Sequence, residues 1–240
     1  MVIALLSAMQ AEIYHTVRRL REGGDEACEN MEWGGKTFTR GMFGSIPVLA
    51  GWTGTGTTIA GISCQYVCSR WNPRAILFAG IGGGLNPAYA PGDIVAAGEV
   101  RQWDINASSI GIPAGVFPGE YNAAGKALSS LYPDPDLLAA AERVSPVPVR
   151  KGVFLSGNSF FGGETGGLPG MEGDVVDMES ISVALAGLYN RVPVLLLRVI
   201  ADPCDRRRPR DIRQFLDSAS ISIAAILEAV TLAIAAGGSS

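Results

Sequence analysis

The sequence predicts an α/β fold, a single domain with a central mixed, mostly parallel twisted sheet flanked by helices. Three observations predict it. Short runs rich in Val, Ile and Leu alternate with longer segments of helical periodicity. Several of those runs show no polar alternation, which is how strands read when helices cover both faces of a sheet. With 240 residues, 48% hydrophobic and 18% charged, the chain can bury a large core and is too apolar for disorder.

The first strand is expected over 2–7, an apolar run ending at Ser7, and an amphipathic pattern predicts a helix over 10–20. Segments 33–40 and 45–51, on either side of Gly44, read as a hairpin pair. A helix over 57–69 leads to a buried strand over 75–79 and another over 93–100. The stretch 106–135, with Pro113, Pro118, Pro133 and Pro135, reads as an irregular excursion from the same domain. A helix over 135–143 precedes a strand over 151–156, and Val175 and Val176 lead into a helix over 178–189. A strongly apolar strand over 192–200 and a long helix over 209–236 follow. No repeat or linker divides the chain, so 1–236 is expected as one domain and 237–240 as a flexible tail.

The same residues narrow the function classes. A formal net charge of −4 gives no general attraction to nucleic acid, and Arg206, Arg207, Arg208 and Arg210 read as a solvated loop. The single histidine, His15, is expected on a helix surface, which argues against a serine–histidine–aspartate triad and a multi-histidine metal site. Of Cys28, Cys64, Cys68 and Cys204, Cys64 and Cys68 would stack one helical turn apart, too few and too poorly partnered for zinc. With no secretion signal in view, the thiols are expected reduced and the protein cytoplasmic. The run 219–236 has the length of a membrane span, but Ser220, Ser222, Glu228 and Thr231 would be costly in lipid. A buried or interface helix is expected there, with no transmembrane segment.

In open α/β sheets ligands bind beyond the carboxyl ends of the strands. Those ends deliver Ala8, Met9 and Glu12; the run Thr53 to Thr57; Gly80 to Gly84; Asn158, Phe160 and Phe161; Asp177, Met178 and Glu179; and Arg198 and Asp202. Carboxylates, one arginine, two aromatics and two glycine loops thus converge on one rim. A dinucleotide-binding oxidoreductase would want a third glycine where Ile59 stands and an acid after the 75–79 strand; both are missing. No phosphate-loop lysine follows either glycine loop. Those glycines instead let backbone approach a ligand and offer N–H groups at a helix start.

Several of these runs are recognisable together. Ser7-Ala8-Met9-Gln10-Ala11-Glu12, Gly80-Ile81-Gly82-Gly83-Gly84-Leu85 and Pro91-Gly92-Asp93-Ile94-Val95 resemble the nucleoside phosphorylase superfamily. So do Ser156-Gly157-Asn158-Ser159-Phe160, Val176-Asp177-Met178-Glu179-Ser180 and Arg198-Val199-Ile200-Ala201-Asp202. Their order and spacing match its methylthioadenosine/S-adenosylhomocysteine nucleosidase branch across nearly the whole chain.

The resemblance implies hydrolysis of the N-glycosidic bond of a purine, in particular adenine, nucleoside through a ribosyl oxocarbenium-like transition state. No cofactor and no metal are implied. Asp202 matches the general acid that protonates purine N7, so that the base leaves neutral. Glu179 matches the ribose-binding glutamate; at a helix N-terminus it is expected to stay ionised and to stabilise the cationic sugar. Glu12 matches the group that activates water, and Arg198, buried in an apolar strand, is expected beside Glu12 or Glu179 to organise the site. Met178 is expected against the ribose and Phe160 stacked on the purine, with the backbone at Phe161 reading the base edge. Ala8, Met9, Ile81, Gly82 and Asp177 complete the expected substrate-binding set. The family commonly forms dimers or larger assemblies, so a homo-oligomer, first a dimer, is expected.

Several positions depart from the branch pattern. Ala201 stands for a serine, Ile81 for a small hydroxyl residue, Asn158 for an aspartate near the base, and Thr55 and Thr57 for an apolar and a basic residue. The segment 198–203 is also similar to a hopanoid-associated phosphorylase branch, thought to act on a lipid-borne adenosyl group, for which phosphate would be a co-substrate. The first loop carries no arginine before Arg18, which favours water over phosphate. Ile110, Ile112, Val116 and Phe117 of the 106–121 loop are the expected lining of an apolar 5′ pocket, from this chain or a neighbouring subunit. A nucleoside-binding module without catalysis would keep Phe160 and Met178 but tolerate loss of Glu12 or Asp202; both acids are present.

Overall fold

The computed structural model describes residues 1–23, 28–160, 171–202 and 212–237. The chain opens with β1 (Ile3–Ser7) and α1 (Gln10–Gly23), then a meander of β2 (Glu29–Trp33), β3 (Lys36–Phe43) and β4 (Ile46–Trp52). α2 (Thr57–Trp71) leads to β5 (Ala75–Gly84) and β6 (Ile94–Gln102). A 3-10 turn at Ser108–Ile110 punctuates the connection to α3 (Pro135–Val144). β7 (Val149–Ser156), β8 (Val175–Asp177), α4 (Ser180–Asn190), β9 (Val194–Asp202) and α5 (Ile212–Gly237) follow.

β5 runs parallel to β1 on one side and to β9 on the other, and its last residues pair antiparallel with β8. β8 continues to β7 and β7 to β6, both parallel, and β6 returns antiparallel to β9. Strands β5, β8, β7, β6 and β9 therefore close a ring, from which β1 and β4 extend as a parallel arm. The antiparallel β3 and β2 end that arm. Within β1, Ala4 and Leu6 join the core on one face while Ile3 and Leu5 join the core on the other. Burial on both faces is why the strand reads as an unbroken apolar run. α2 and α4 lie on the first face and α1, α3 and α5 on the second.

The structure corrects four sequence expectations. The hairpin is a three-stranded meander: β2, with Glu29, Asn30 and Glu32, is a polar edge strand that among the described residues pairs with β3 alone, and edge polarity hid it. The glycines from Gly80 to Gly84 form the end of β5 rather than a loop, because β9 and β8 continue to pair with them. α4 starts at Ser180, since Asp177 Oδ1 accepts the N–H groups of Glu179 and Ser180 at 3.2 Å each and caps that end. His15 is buried, with Nε2 2.8 Å from Asp217 Oδ1, because α5 packs over the face of α1 that was expected to meet water.

By length and composition one described helical segment, Arg213–Ala236, could cross a membrane. Its Ser220, Ile223, Leu227, Val230 and Thr231 are buried against the rest of the fold, so it serves as a core helix. The arginines Arg206 to Arg210, Cys204 and residues 238–240 lie outside the described residues.

Candidate active site

A cavity of about 510 Å³ opens where the carboxyl ends of β1, β5, β8 and β9 meet. The turn after β1 contributes Ala8, Met9 and Glu12, and the loop after β4 contributes Thr55. β5 supplies Ile81, Gly82 and Gly83, the segment after β7 supplies Ser159 and Phe160, and β8 with its sequel supplies Val176, Asp177, Met178 and Glu179. Ala201 and Asp202 close it from β9, and Leu216 from α5. Every described residue expected to touch substrate, Ala8, Met9, Ile81, Gly82, Phe160, Asp177 and Met178, lines this one cavity, as do Glu12, Glu179 and Asp202. Phe161 lies outside the described residues.

Glu12 is held by local helix chemistry. It is the third residue of α1, and its Oε2 accepts the Met9 N–H at 2.7 Å, the glutamate half of a capping box. Its Oε1 accepts the Ile81 N–H from β5 at 2.8 Å, so the carboxylate spans two elements. Burial pushes its carboxyl up, against the lowering pull of Arg198 and of the Ile81 and Met9 N–H groups.

Arg198 lies beneath the cavity rather than in its lining, fully buried in β9. Its Nε donates to Asp177 Oδ2 at 2.8 Å, and Nη2 donates to Glu179 Oε2 and Ser180 Oγ at 3.2 Å each. The guanidinium carbon sits 4.9 Å from the centre of the Phe78 ring. Burial works against its charge, yet Asp177, Glu179 and Glu12 more than offset that and hold it protonated. Nη1 is a buried donor with no partner among the described residues, and it points to the space beside Glu12. A Cβ at Gly80 would stand 2.5 Å from that Nη1 and 2.7 Å from Glu12 Oε1, so only glycine leaves room for both groups there.

Asp177 faces the cavity but its oxygens are committed. Oδ1 accepts from Ser156 Oγ and two backbone N–H groups, and Oδ2 from Ser180 Oγ and Arg198. It therefore orients Arg198 and the start of α4 and offers a ligand little. Glu179 Oε1 accepts the Gly56 N–H at 3.0 Å. The N–H expected for a ligand at this glycine loop is thus spent on a protein carboxylate. Contrary to the expectation of ready ionisation at a helix end, burial pushes Glu179 up to about 7; Arg198 and the Gly56 N–H oppose this and Asp177 reinforces it.

Asn158 is turned to a different task from the one its position suggested. Its Oδ1 accepts Thr57 N–H at 3.0 Å and Thr57 Oγ1 at 2.8 Å, capping α2, and it is absent from the cavity lining. Ile110, Ile112, Val116 and Phe117 do not line the cavity of their own chain either; Phe117 packs on the core and Ile110 is exposed. Sequence reasoning missed Leu216 and Ser159, and placed Thr55 on this rim without giving it a role. Leu216 arrives on a helix that follows the last strand, and no local pattern marks it.

Over 240 residues the chain is 27% identical to a 5′-methylthioadenosine/S-adenosylhomocysteine nucleosidase of Exiguobacterium sp., covering 96% of this chain and 97% of the relative. It is 25% identical to an aminodeoxyfutalosine nucleosidase of Campylobacter jejuni, over 95% of this chain and 97% of that one. In fold it matches a Campylobacter jejuni 5′-methylthioadenosine/S-adenosylhomocysteine nucleosidase with a TM-score of 0.85 and 22% identity, covering 96% and 98% of the two chains. A futalosine hydrolase of Helicobacter pylori matches with a TM-score of 0.84 and 22% identity, over 95% and 96%. Residues 2–232 match the Phosphorylase superfamily, and the chain belongs to that family.

Proposed function

We propose that this protein hydrolyses the N-glycosidic bond of an adenine nucleoside bearing a 5′ thio substituent, such as 5′-methylthioadenosine or S-adenosylhomocysteine, and releases free adenine. The observation that carries the reading is the convergence of Glu12, Glu179 and Asp202 on one cavity above the buried Arg198, with no lysine or arginine among the described lining residues. A lining without a cation among its described residues gives phosphate no partner, whereas carboxylates suit water, ribose hydroxyls and a developing cation. Phosphorolysis, including that of a lipid-borne adenosyl group, finds no such support.

In this reading Asp202 gives its proton to purine N7 as the C1′–N9 bond breaks, and the bonding pair leaves with the base. Positive charge gathers on the ribosyl ring, where Glu179 accepts hydrogen bonds from the sugar hydroxyls and offsets that charge. Water sits between Glu12 and the Arg198 Nη1 donor; its oxygen bonds to C1′ while Glu12 takes its proton. Glu12 then gives that proton up to solvent, and solvent returns one to Asp202. Phe160 stacks on the base, and Met9, Met178, Ile81 and Leu216 give the sugar and its 5′ group apolar contact. Arg198 and Asp177 are positioning residues: they hold Glu179 and the start of α4.

The reading is of a cytoplasmic homo-oligomer, first a dimer. Cys28, Cys64 and Cys68 are free thiols, in keeping with a reducing compartment. α2 exposes Ile59 and Ile62, and the neighbouring α4 exposes Leu188 and Tyr189, apolar surface suited to a partner copy.

The test is incubation with 5′-methylthioadenosine, S-adenosylhomocysteine, aminodeoxyfutalosine and inosine, each with and without phosphate, followed by assay of free base. Adenine release independent of phosphate is expected. No release from any nucleoside would sink the reading, and strict phosphate dependence would turn it into a phosphorylase.

A further inference from the structure

One stretch of α5 touches both the cavity and the start of α1. Leu216 lines the cavity. Asp217 Oδ1 lies 2.8 Å from His15 Nε2 on α1. Ser220, fully buried, donates from Oγ to the backbone carbonyl of Glu12 at 2.9 Å and accepts the His15 N–H at 3.2 Å. The last helix thus grips the first turn of α1 at the residue assigned to activate water.

That grip matters because of how Glu12 is held. Its carboxylate is pinned at Oε2 by the N–H of Met9, which immediately precedes α1, and at Oε1 by Ile81 on β5. The Ile81 bond keeps its length only while the first turn of α1 keeps its distance from β5, and the Met9 bond only while that turn stays wound. First turns are where helices fray, since their N–H groups lack partners within the helix. Ser220, from outside α1, bonds the Glu12 main chain, and Asp217, one residue beyond Leu216, fastens His15 in the next turn of α1.

We propose that Ser220 is a positioning residue for Glu12, with the Asp217–His15 pair as its second clasp, so that α5 sets the geometry of water attack. This rests on the nucleosidase reading. Base release by the unmodified chain tests that reading, whereas the inference is tested by a ratio between variants.

The experiment is a double-mutant cycle on kcat for adenine release. Ser220→Ala is expected to lower kcat about tenfold with KM changed less than about twofold, the signature of a misplaced group rather than lost binding. In a Glu12→Gln background the same substitution should change the residual rate less than about twofold, because the group it positions is gone. Thr231→Ala, which removes a buried α5 hydroxyl bonded within its own helix, is the control and should leave kcat unchanged. Should Ser220→Ala fail to fold, Asp217→Asn, at an exposed carboxylate, is read in the same two backgrounds; a loss of about threefold confined to the Glu12 background is expected. An equal loss in both backgrounds, or no loss in the first, overturns the proposal.

Discussion

Arg198 and Glu179 meet at 3.2 Å with both side chains nearly or wholly shut off from solvent, so the cavity-facing glutamate rests on a guanidinium that water does not reach. Removing one partner of such a pair leaves the other charge buried without compensation. Arg198→Met should therefore cost about 3–5 kcal/mol of folding stability. The loss should shrink in acid, where the orphaned carboxylates take up protons. Denaturant unfolding at pH 4 and pH 8 checks this; an equal loss at both would show that the ion pair is not the reason Arg198 is there.

Glu179 gives the protein a pH signature of known sign. Its carboxyl is raised from 4.5 to about 7, so the folded state binds its proton more tightly than the unfolded chain does. The stability this contributes is complete below the unfolded value and is lost as pH rises through about 7. Integrated, the group's share is on the order of 3 kcal/mol. Glu179→Gln should flatten the fall in stability across that window, and Tm measured at closely spaced pH values reads it. For activity the sign reverses, because the ionised form is the one that stabilises a cationic sugar. kcat/KM should fall on the acid side with an apparent pKa near that of Glu179.

Asp202 tests the acid step. Asp202→Asn should lower kcat for adenine release by about 10²–10⁴, the usual share of a positioned proton donor. A riboside whose leaving group is a nitrophenolate needs no proton, and its hydrolysis should change less than about tenfold in the same variant. Equal losses on both substrates would assign Asp202 to binding instead.

Gly80 offers a change of one methyl group. Its Cβ would meet Arg198 Nη1 at 2.5 Å and Glu12 Oε1 at 2.7 Å, so one or both must move. Gly80→Ala is expected to cost about 1–3 kcal/mol of stability by overpacking. It should lower kcat by about 100-fold, since a small shift of a positioned group is enough. A variant that unfolds more readily yet keeps full kcat would separate the glycine from the reaction.

What the sequence made legible, and what it hid, divides along physical lines. Strands β1 and β9 were visible because helices bury both their faces and leave only apolar residues to choose from. The edge strand β2 was hidden because half of it meets water and tolerates Glu29 and Glu32. The glycines of β5 looked like a loop, since nothing local shows that Arg198 and Glu12 need the space where side chains would sit. The cavity set was readable from strand ends, the one place where chain order and ligand position coincide. Leu216 and Ser220 lie on α5, so only packing brings Leu216 to the cavity and Ser220 to the Glu12 main chain.

The most direct test of hydrolytic cleavage is to run 5′-methylthioadenosine in phosphate-free buffer made with ¹⁸O-labelled water and to analyse the sugar product. Hydrolysis by this protein should give free adenine together with a thioribose carrying one ¹⁸O at C1. Unlabelled sugar, or base release that waits for added phosphate and yields a sugar 1-phosphate, would contradict it.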